Sequence, residues 1–327
     1  MAFISNLINS QNLRNTVLTI GTFDGIHIGH RKLFQVLIDN SKALNSETVV
    51  VTFDPHPRHV LEKKGNHKDI ISSIDEKIKL IKEIGIDHVV VLPFDINFSK
   101  LSAETFLDKI IIKYFHPKII VVGHDHRFGF KKEGDIYFLK SKLNYYEYDV
   151  IEVKALHENN NIISSSLIRK LIAIGRVRKV NKLLGRNLSI KGKVVKGDGR
   201  GRTIGYPTAN INLINKLTQI PDNGVFIVLT KINKTTYYGM CNIGFRPTFK
   251  SEKEKLIEVY LFNYNNLNLY EKELRIEFIQ FVRKERKFDS KNKLINQIRK
   301  DELFCLKYLV EKGMIKKGDN FLNVNNN

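Results

Sequence analysis

The chain has 327 residues, 42% of them hydrophobic, with 54 Lys and Arg against 34 Asp and Glu and a net charge of +20. That length accommodates two ordinary domains, and that apolar fraction excludes a disordered chain. No apolar run reaches the roughly 18 residues of a membrane-spanning helix, and the first residues lack the basic start and apolar core of a signal peptide. Cys241 and Cys305 are too few for a secreted disulfide framework and too far apart for a metal knuckle, so a reducing cytoplasm is expected. The charge invites a nucleic-acid reading, but Lys, Asn and Ile are abundant throughout, down to the tail at 323–327, and no stretch forms a basic arm. Anionic small molecules are the expected partners, with neither nucleic acid nor membrane.

Residues 16–21, 47–53, 87–92, 118–123 and 147–153 read as strands. Helical stretches near 30–44, 75–84, 102–113 and 134–142 lie between them. Continuous Val/Ile strands alternating with helices predict a parallel sheet covered on both faces, with ligands beyond the C-terminal strand ends. Residues 164–184 read as helical. From Leu188 the pattern turns to period-two alternation, at 225–232, 236–243, 257–262 and 274–282, which predicts a small antiparallel barrel. A final helix is expected over 289–312. The domains are expected to be 1–185 and 186–327, with the boundary near Gly185.

The densest signal is Gly21-Thr22-Phe23-Asp24-Gly25-Ile26-His27-Ile28-Gly29-His30, where the first strand turns into a helix. Unpaired backbone N–H groups there attract anions. Imidazoles three apart on a helix share a face, so His27 and His30 suit charge stabilisation on a nucleotide's phosphates; a metal-binding pair is the alternative. Phe53-Asp54-Pro55-His56-Pro57 follows the second strand, as a binding wall or a rigid turn. Gly123-His124-Asp125-His126-Arg127-Phe128-Gly129 follows the fourth, offering a carboxylate, a guanidinium and an aromatic. Ser164-Ser165-Ser166-Leu167-Ile168-Arg169 opens a helix with capping residues and an Arg one turn in.

In the second half, the loop from Gly197 to Asn210 holds four glycines and two arginines without a Walker ending, either a phosphate loop or a Gly-rich hairpin. Thr208 and Asn210 alternate, so both side chains of an extended segment point one way and offer hard oxygen ligands to a phosphate-bound Mg²⁺. Glu258 lies in the strand-like Ile257-Glu258-Val259-Tyr260-Leu261, as a general base or as a strand-end carboxylate reaching water.

Taken together, G-x-F-D-G-x-H-x-G-H, F-D-P-H-P, G-x-D-x-R-F-G, I-S-S-x-x-I-R and G-x-G-R-G-R-x-x-G-x-P-T-A-N resemble the bifunctional riboflavin kinase/FAD synthetases of bacteria over about residues 15–312. Segments 221–226, 242–249, 283–288 and 297–301 add to the resemblance. It implies an α/β chain: a Rossmann-like nucleotidyltransferase domain converting FMN and ATP to FAD and pyrophosphate, then a six-stranded barrel kinase with a C-terminal helix converting riboflavin and ATP to FMN. It further implies that His27 and His30 act on the ATP phosphates without a covalent intermediate, and that Gly21, Phe23, Asp24, Ser164, Ser166 and Arg169 hold ATP. Phe53, Pro55, Pro57 and Asp125 would line the flavin. In the kinase, Gly199, Arg200 and Arg202 would meet ATP, Thr208 and Asn210 would coordinate Mg²⁺-ATP, and Glu258 would deprotonate the ribityl hydroxyl. Expected partners are ATP, riboflavin and FMN, with weak self-association. The sequence departs from the family at Lys132 (usually Arg), His126 (usually aromatic), Ser166 (usually Thr) and Tyr260 (usually His).

Overall fold

The computed structural model describes residues 13, 15–61, 69–245, 255–264 and 268–316. Arg246 to Phe249, part of one resembling segment, and the tail at 323–327 lie outside the described residues. The chain divides into two compact units, Met1–Leu167 and Ile168–Asn327.

In the first unit, strands β1 (Thr16–Ile20), β2 (Glu47–Asp54), β3 (His88–Pro93), β4 (Pro117–Gly123) and β5 (Asp149–Val153) form one sheet in the order β3-β2-β1-β4-β5. Every pairing is parallel. Alternation explains why these strands read as continuous apolar runs. Leu18, Ile20, Val49, Val51, Ile120 and Val122 pack on one face with a helical run over 103–115, which contains a π turn at Leu107–Ile112. Val17, Val50, Ile119 and Val121 pack on the other face with Leu33, Phe34 and Leu37 of α1 (Ile28–Leu44), and with Leu80 and Ile81 of the helix Ile74–Ile84. Burying each such side chain contributes about 1.5–3 kcal/mol. The chain winds one way from β1 to β3, then crosses to β4 and β5, so the strand order reverses between β1 and β4. Open α/β sheets bind ligands at such a reversal. A short hairpin, β6 (His157–Glu158) and β7 (Asn161–Ile162), follows.

The stretch expected as one helix over 164–184 is two: α2 (Ser165–Ala173) and α3 (Val177–Leu184). Gly175 breaks it with φ 69, a left-handed conformation that glycine adopts without strain. Asn181 of α3 donates to the Phe278 carbonyl and accepts from the Leu188 amide, at 2.8 and 2.7 Å, which docks α3 on the barrel. Gly185 caps α3 at φ 66.

The second unit is a closed barrel of β8 (Leu188–Val195), β9 (Ala209–Leu213), β10 (Gly224–Ile232), β11 (Thr235–Phe245), β12 (Lys255–Leu261) and β13 (Glu273–Arg283), ordered β10-β11-β12-β9-β8-β13. Phe226, Cys241 and Val259 meet across three strands as buried partners. The opposite faces of β10 and β11 present Val225, Ile227 and Met240 to Cys305, Leu306 and Leu309 of the last helix, α4 (Lys291–Glu311). No described helix is long and apolar enough to cross a membrane.

Candidate active sites

In the first unit the loop after β1 is tightly wound. Phe23, Gly25 and Ile26 all have positive φ, at 46, 81 and 40°. The Phe23 ring lies over Gly21, where a Cβ would come within 2.8 Å of it. The same ring meets His30 edge-on at 5.3 Å. His27 is the N-cap of α1, and its Nδ1 accepts the His30 amide N–H at 3.3 Å. An imidazole that accepts through Nδ1 carries its neutral-state proton on Nε2, so the cap fixes His27 as an Nε2–H donor. The two rings stack at 3.6 Å. A Cβ on Gly29 would crowd the His27 ring at 3.1 Å. The outcome is two imidazoles held face to face over a helix N-terminus, an arrangement suited to anionic phosphates.

Asp24 is buried and accepts the Ile71 and Ser72 amides at 3.0–3.1 Å. It therefore ties this loop to the chain entering the 74–84 helix. Ser165 Oγ donates to the Asp24 carbonyl at 2.8 Å, which brings the start of α2 to the same loop. Ser164 accepts the Leu167 amide as a helix cap, and Ser166 is exposed. Arg169 is buried, and its carbonyl accepts from Gln219 at 2.8 Å.

The neighbouring strands β2 and β4 deliver the other two clusters to the same edge of the sheet. Phe53 packs edge-on against Phe94 and Phe98 at 5.7 and 5.9 Å. Pro55 follows a cis bond from Asp54, and Pro57 opens the short helix Pro57–Leu61. Asp125 is exposed, 3.8 Å from His124 Nδ1. Gly129 and Gly134 fold this loop onto Ala103, where added Cβ atoms would clash at 2.6 and 2.8 Å. Phe128 and Gly134 exchange backbone hydrogen bonds.

His126 stacks on Phe128 at 5.5 Å with its Nε2 buried and without a partner. Burial pushes its imidazole down to about 4, against an ordinary value near 6.5. The folded state thus favours the neutral ring. The stability this contributes is complete above pH 6.5 and is lost as pH falls towards 4, because the unfolded chain takes up the proton first. Urea unfolding of the first unit should lose about 3 kcal/mol across that range at the limit, and His126→Phe should flatten the slope. A slope unchanged by the substitution would assign it to other groups.

Sequence reasoning missed Lys77. It is buried, donates to Thr52 Oγ1 at 3.2 Å, and has its ammonium pushed down by burial against the opposing pull of Asp24 and Asp54. Its signal was available: positions 74, 77 and 81 form the apolar stripe of that helix, and a lysine occupies the middle one.

The second site lies on the barrel. Asn210 of β9 stands directly opposite Glu258 of β12, which stands opposite Asn242 of β11. Directly opposed side chains have Cβ atoms about 5 Å apart on one face, so Asn210, Glu258 and Asn242 form a row across three strands. Asn242 was not among the expected site residues. Glu258 is half-buried. Thr208 immediately precedes β9. The glycine-rich loop lies against this segment: a Cβ on Gly197 would collide with the Asn210 amide, and one on Gly201 would collide with the Tyr206 carbonyl and sit 3.3 Å from Thr208 Oγ1. Glycine is therefore required at 201, where the loop meets backbone beside the Thr208 hydroxyl, and at 197 any side chain would displace the Asn210 amide. That cradle fits a phosphate-bound cation, since Mg²⁺ takes few protein ligands and the rest from phosphate and water. Gly199 has φ 69, and Arg200 and Arg202 are exposed, Arg200 lying 3.7 Å from Asp198. Among the described residues no group of three or more His, Cys, Asp or Glu could hold a metal.

Residues 9–167 match the family model for FAD synthetase, and residues 184–309 match that for riboflavin kinase. The bifunctional riboflavin kinase/FMN adenylyltransferase of Buchnera aphidicola subsp. Schizaphis graminum is 40% identical over 312 residues, covering 94% of this chain and 99% of its own. The chain belongs to the bifunctional riboflavin kinase/FMN adenylyltransferase family. The member from Bacillus subtilis is 36% identical over 93% of this chain and 95% of its own. A crystal structure described as a macrolide-efflux protein from Streptococcus pneumoniae shares 35% identity, with a TM-score of 0.82 over 90% of this chain and 94% of its own.

Proposed function

We propose that the chain makes FMN from riboflavin and ATP on its barrel, and FAD from FMN and ATP on its α/β domain, with adenylylation assigned to residues 1–185 and phosphorylation to 186–327. What supports this reading is that two separately built clusters, the stacked His27 and His30 at the start of α1 and the Asn210–Glu258–Asn242 row on the barrel, each fall within the segment matched by one of the two family models.

In the adenylylation, an FMN phosphate oxygen attacks the α-phosphorus of ATP. A P–O bond forms there as the bond to pyrophosphate breaks. The Nε2–H of His27, the stacked His30 and the amides at the start of α1 stabilise charge on the phosphate oxygens. Gly21 and Phe23 shape the nucleotide side, Asp24 holds the loop that presents it, and Ser164, Ser166 and Arg169 complete the ATP contacts. Phe53, Pro55, Pro57 and Asp125 line the flavin.

In the kinase, Glu258 takes the proton of the terminal ribityl hydroxyl, whose oxygen attacks the γ-phosphorus while ADP leaves. Thr208 and Asn210 bind Mg²⁺-ATP, and Gly199, Arg200 and Arg202 meet the phosphates. The cation supplies charge neutralisation on the phosphate oxygens, and positioning accounts for most of the acceleration. Cys241 and Cys305 are free and buried, which fits a reducing compartment such as the cytoplasm.

Chromatography of flavins after incubating the protein with riboflavin, ATP and Mg²⁺ tests the proposal. FMN should appear first and FAD after it. If neither forms, and supplied FMN is not converted, the reading is wrong.

A further inference from the structure

Glu302 occupies the stripe of α4 that otherwise holds Ile298, Leu306 and Leu309, four residues from each of the first two, and is only 6% exposed. A carboxyl at such a place is costly unless its oxygens are used. Two phenols converge on it: Tyr206 donates to Glu302 Oε2 at 3.0 Å, and Tyr260 stands close enough to the same carboxyl to interact with it. The two rings meet edge-on at 5.1 Å. Burial raises the carboxyl above the usual range and raises both phenols, so the hydrogens stay on the tyrosines as donors. The preceding residue, Asp301, is clamped by the guanidinium of Arg283 and by Gln297, which anchors this turn of the helix to β13.

The two phenols belong to the two halves of the kinase site. Tyr206 lies two residues before Thr208, and its amide donates to the Gly201 carbonyl at 2.9 Å, closing the glycine-rich loop. Tyr260 lies two residues after Glu258 on the same strand, hence on the same face. We infer that Glu302 is a positioning residue for phosphoryl transfer: through Tyr206 and Tyr260 it fixes the loop that receives the nucleotide against the strand that bears the base. Tyr260, which stands where the family usually has His, thereby acquires a partner in Glu302. This rests on the reading of Thr208 and Asn210 as the Mg²⁺-ATP segment.

The test is steady-state kinase kinetics of the full chain across ATP and Mg²⁺ concentrations, with conversion of supplied FMN to FAD as a check that the rest of the protein is intact. Tyr206→Phe keeps the ring and loses the hydroxyl. Glu302→Gln keeps one acceptor. Each should raise the KM for ATP and the half-saturating Mg²⁺ concentration about tenfold, the size of one lost bond to a carboxylate, while kcat changes far less. The double variant should be little worse than either single one, because both break the same link. Thr208→Ala, run in parallel, should raise the same Mg²⁺ requirement; if it does not, the reading of the metal-nucleotide segment fails. If Thr208→Ala raises it while Tyr206→Phe and Glu302→Gln keep wild-type values, or lower kcat alone, the positioning role is overturned.

Discussion

His27→Asn should leave FMN formation from riboflavin intact and cut FAD formation by a hundredfold or more, the usual loss when a donor to developing phosphate charge is removed. The choice of Asn separates chemistry from folding. His27 caps α1 through Nδ1, and Asn is among the best N-cap residues, so the helix start survives while the Nε2–H donor is lost. Replacement by Ala would confound the two effects, adding about 1 kcal/mol of lost capping. Separate assays with riboflavin and with FMN as substrate read the outcome. Equal losses in both assays would assign His27 a structural task rather than one at the phosphates.

The mirror-image result is expected from Glu258→Gln. The amide matches the carboxylate in shape and keeps the row with Asn210 and Asn242, but it cannot accept the hydroxyl proton. Kinase kcat should fall about a thousandfold, within the range for removal of a general base, while supplied FMN is still converted to FAD. A Glu258→Gln enzyme that phosphorylates riboflavin at the wild-type rate would remove Glu258 from the chemistry.

Much of the architecture was legible because two periodicities dominate the chain. Val17 to Ile20 read as a buried strand because both faces of β1 are covered, and the glycine- and histidine-bearing segments sit at the ends of adjacent strands because a parallel sheet delivers its loops to one edge. The break at Gly175 was missed because α2 and α3 are both amphipathic and run in phase across a single turn. Asn242, Lys77 and Glu302 stayed hidden for a common reason. Each acquires its meaning from a partner far along the chain: Glu258, Asp24 and Tyr206 respectively. A polar residue within an apolar stripe marks that a partner exists without naming it.

The pairing of β9 with β12 has a consequence for how the kinase site tolerates change. Neighbours of Glu258 along β12, Ile257, Val259 and Leu261, are all buried. Slipping β12 by one residue would turn every side chain to the opposite face, driving the carboxylate into the barrel and exposing three aliphatic groups at once. The cost of that exchange falls on the hydrophobic pattern rather than on the chemistry. Ordinary core residues therefore proofread the alignment of an acidic group with the segment it must face. Substitutions that keep the alternation should leave the site in register, and a single inserted residue in β12 should silence it even though every reactive side chain remains present.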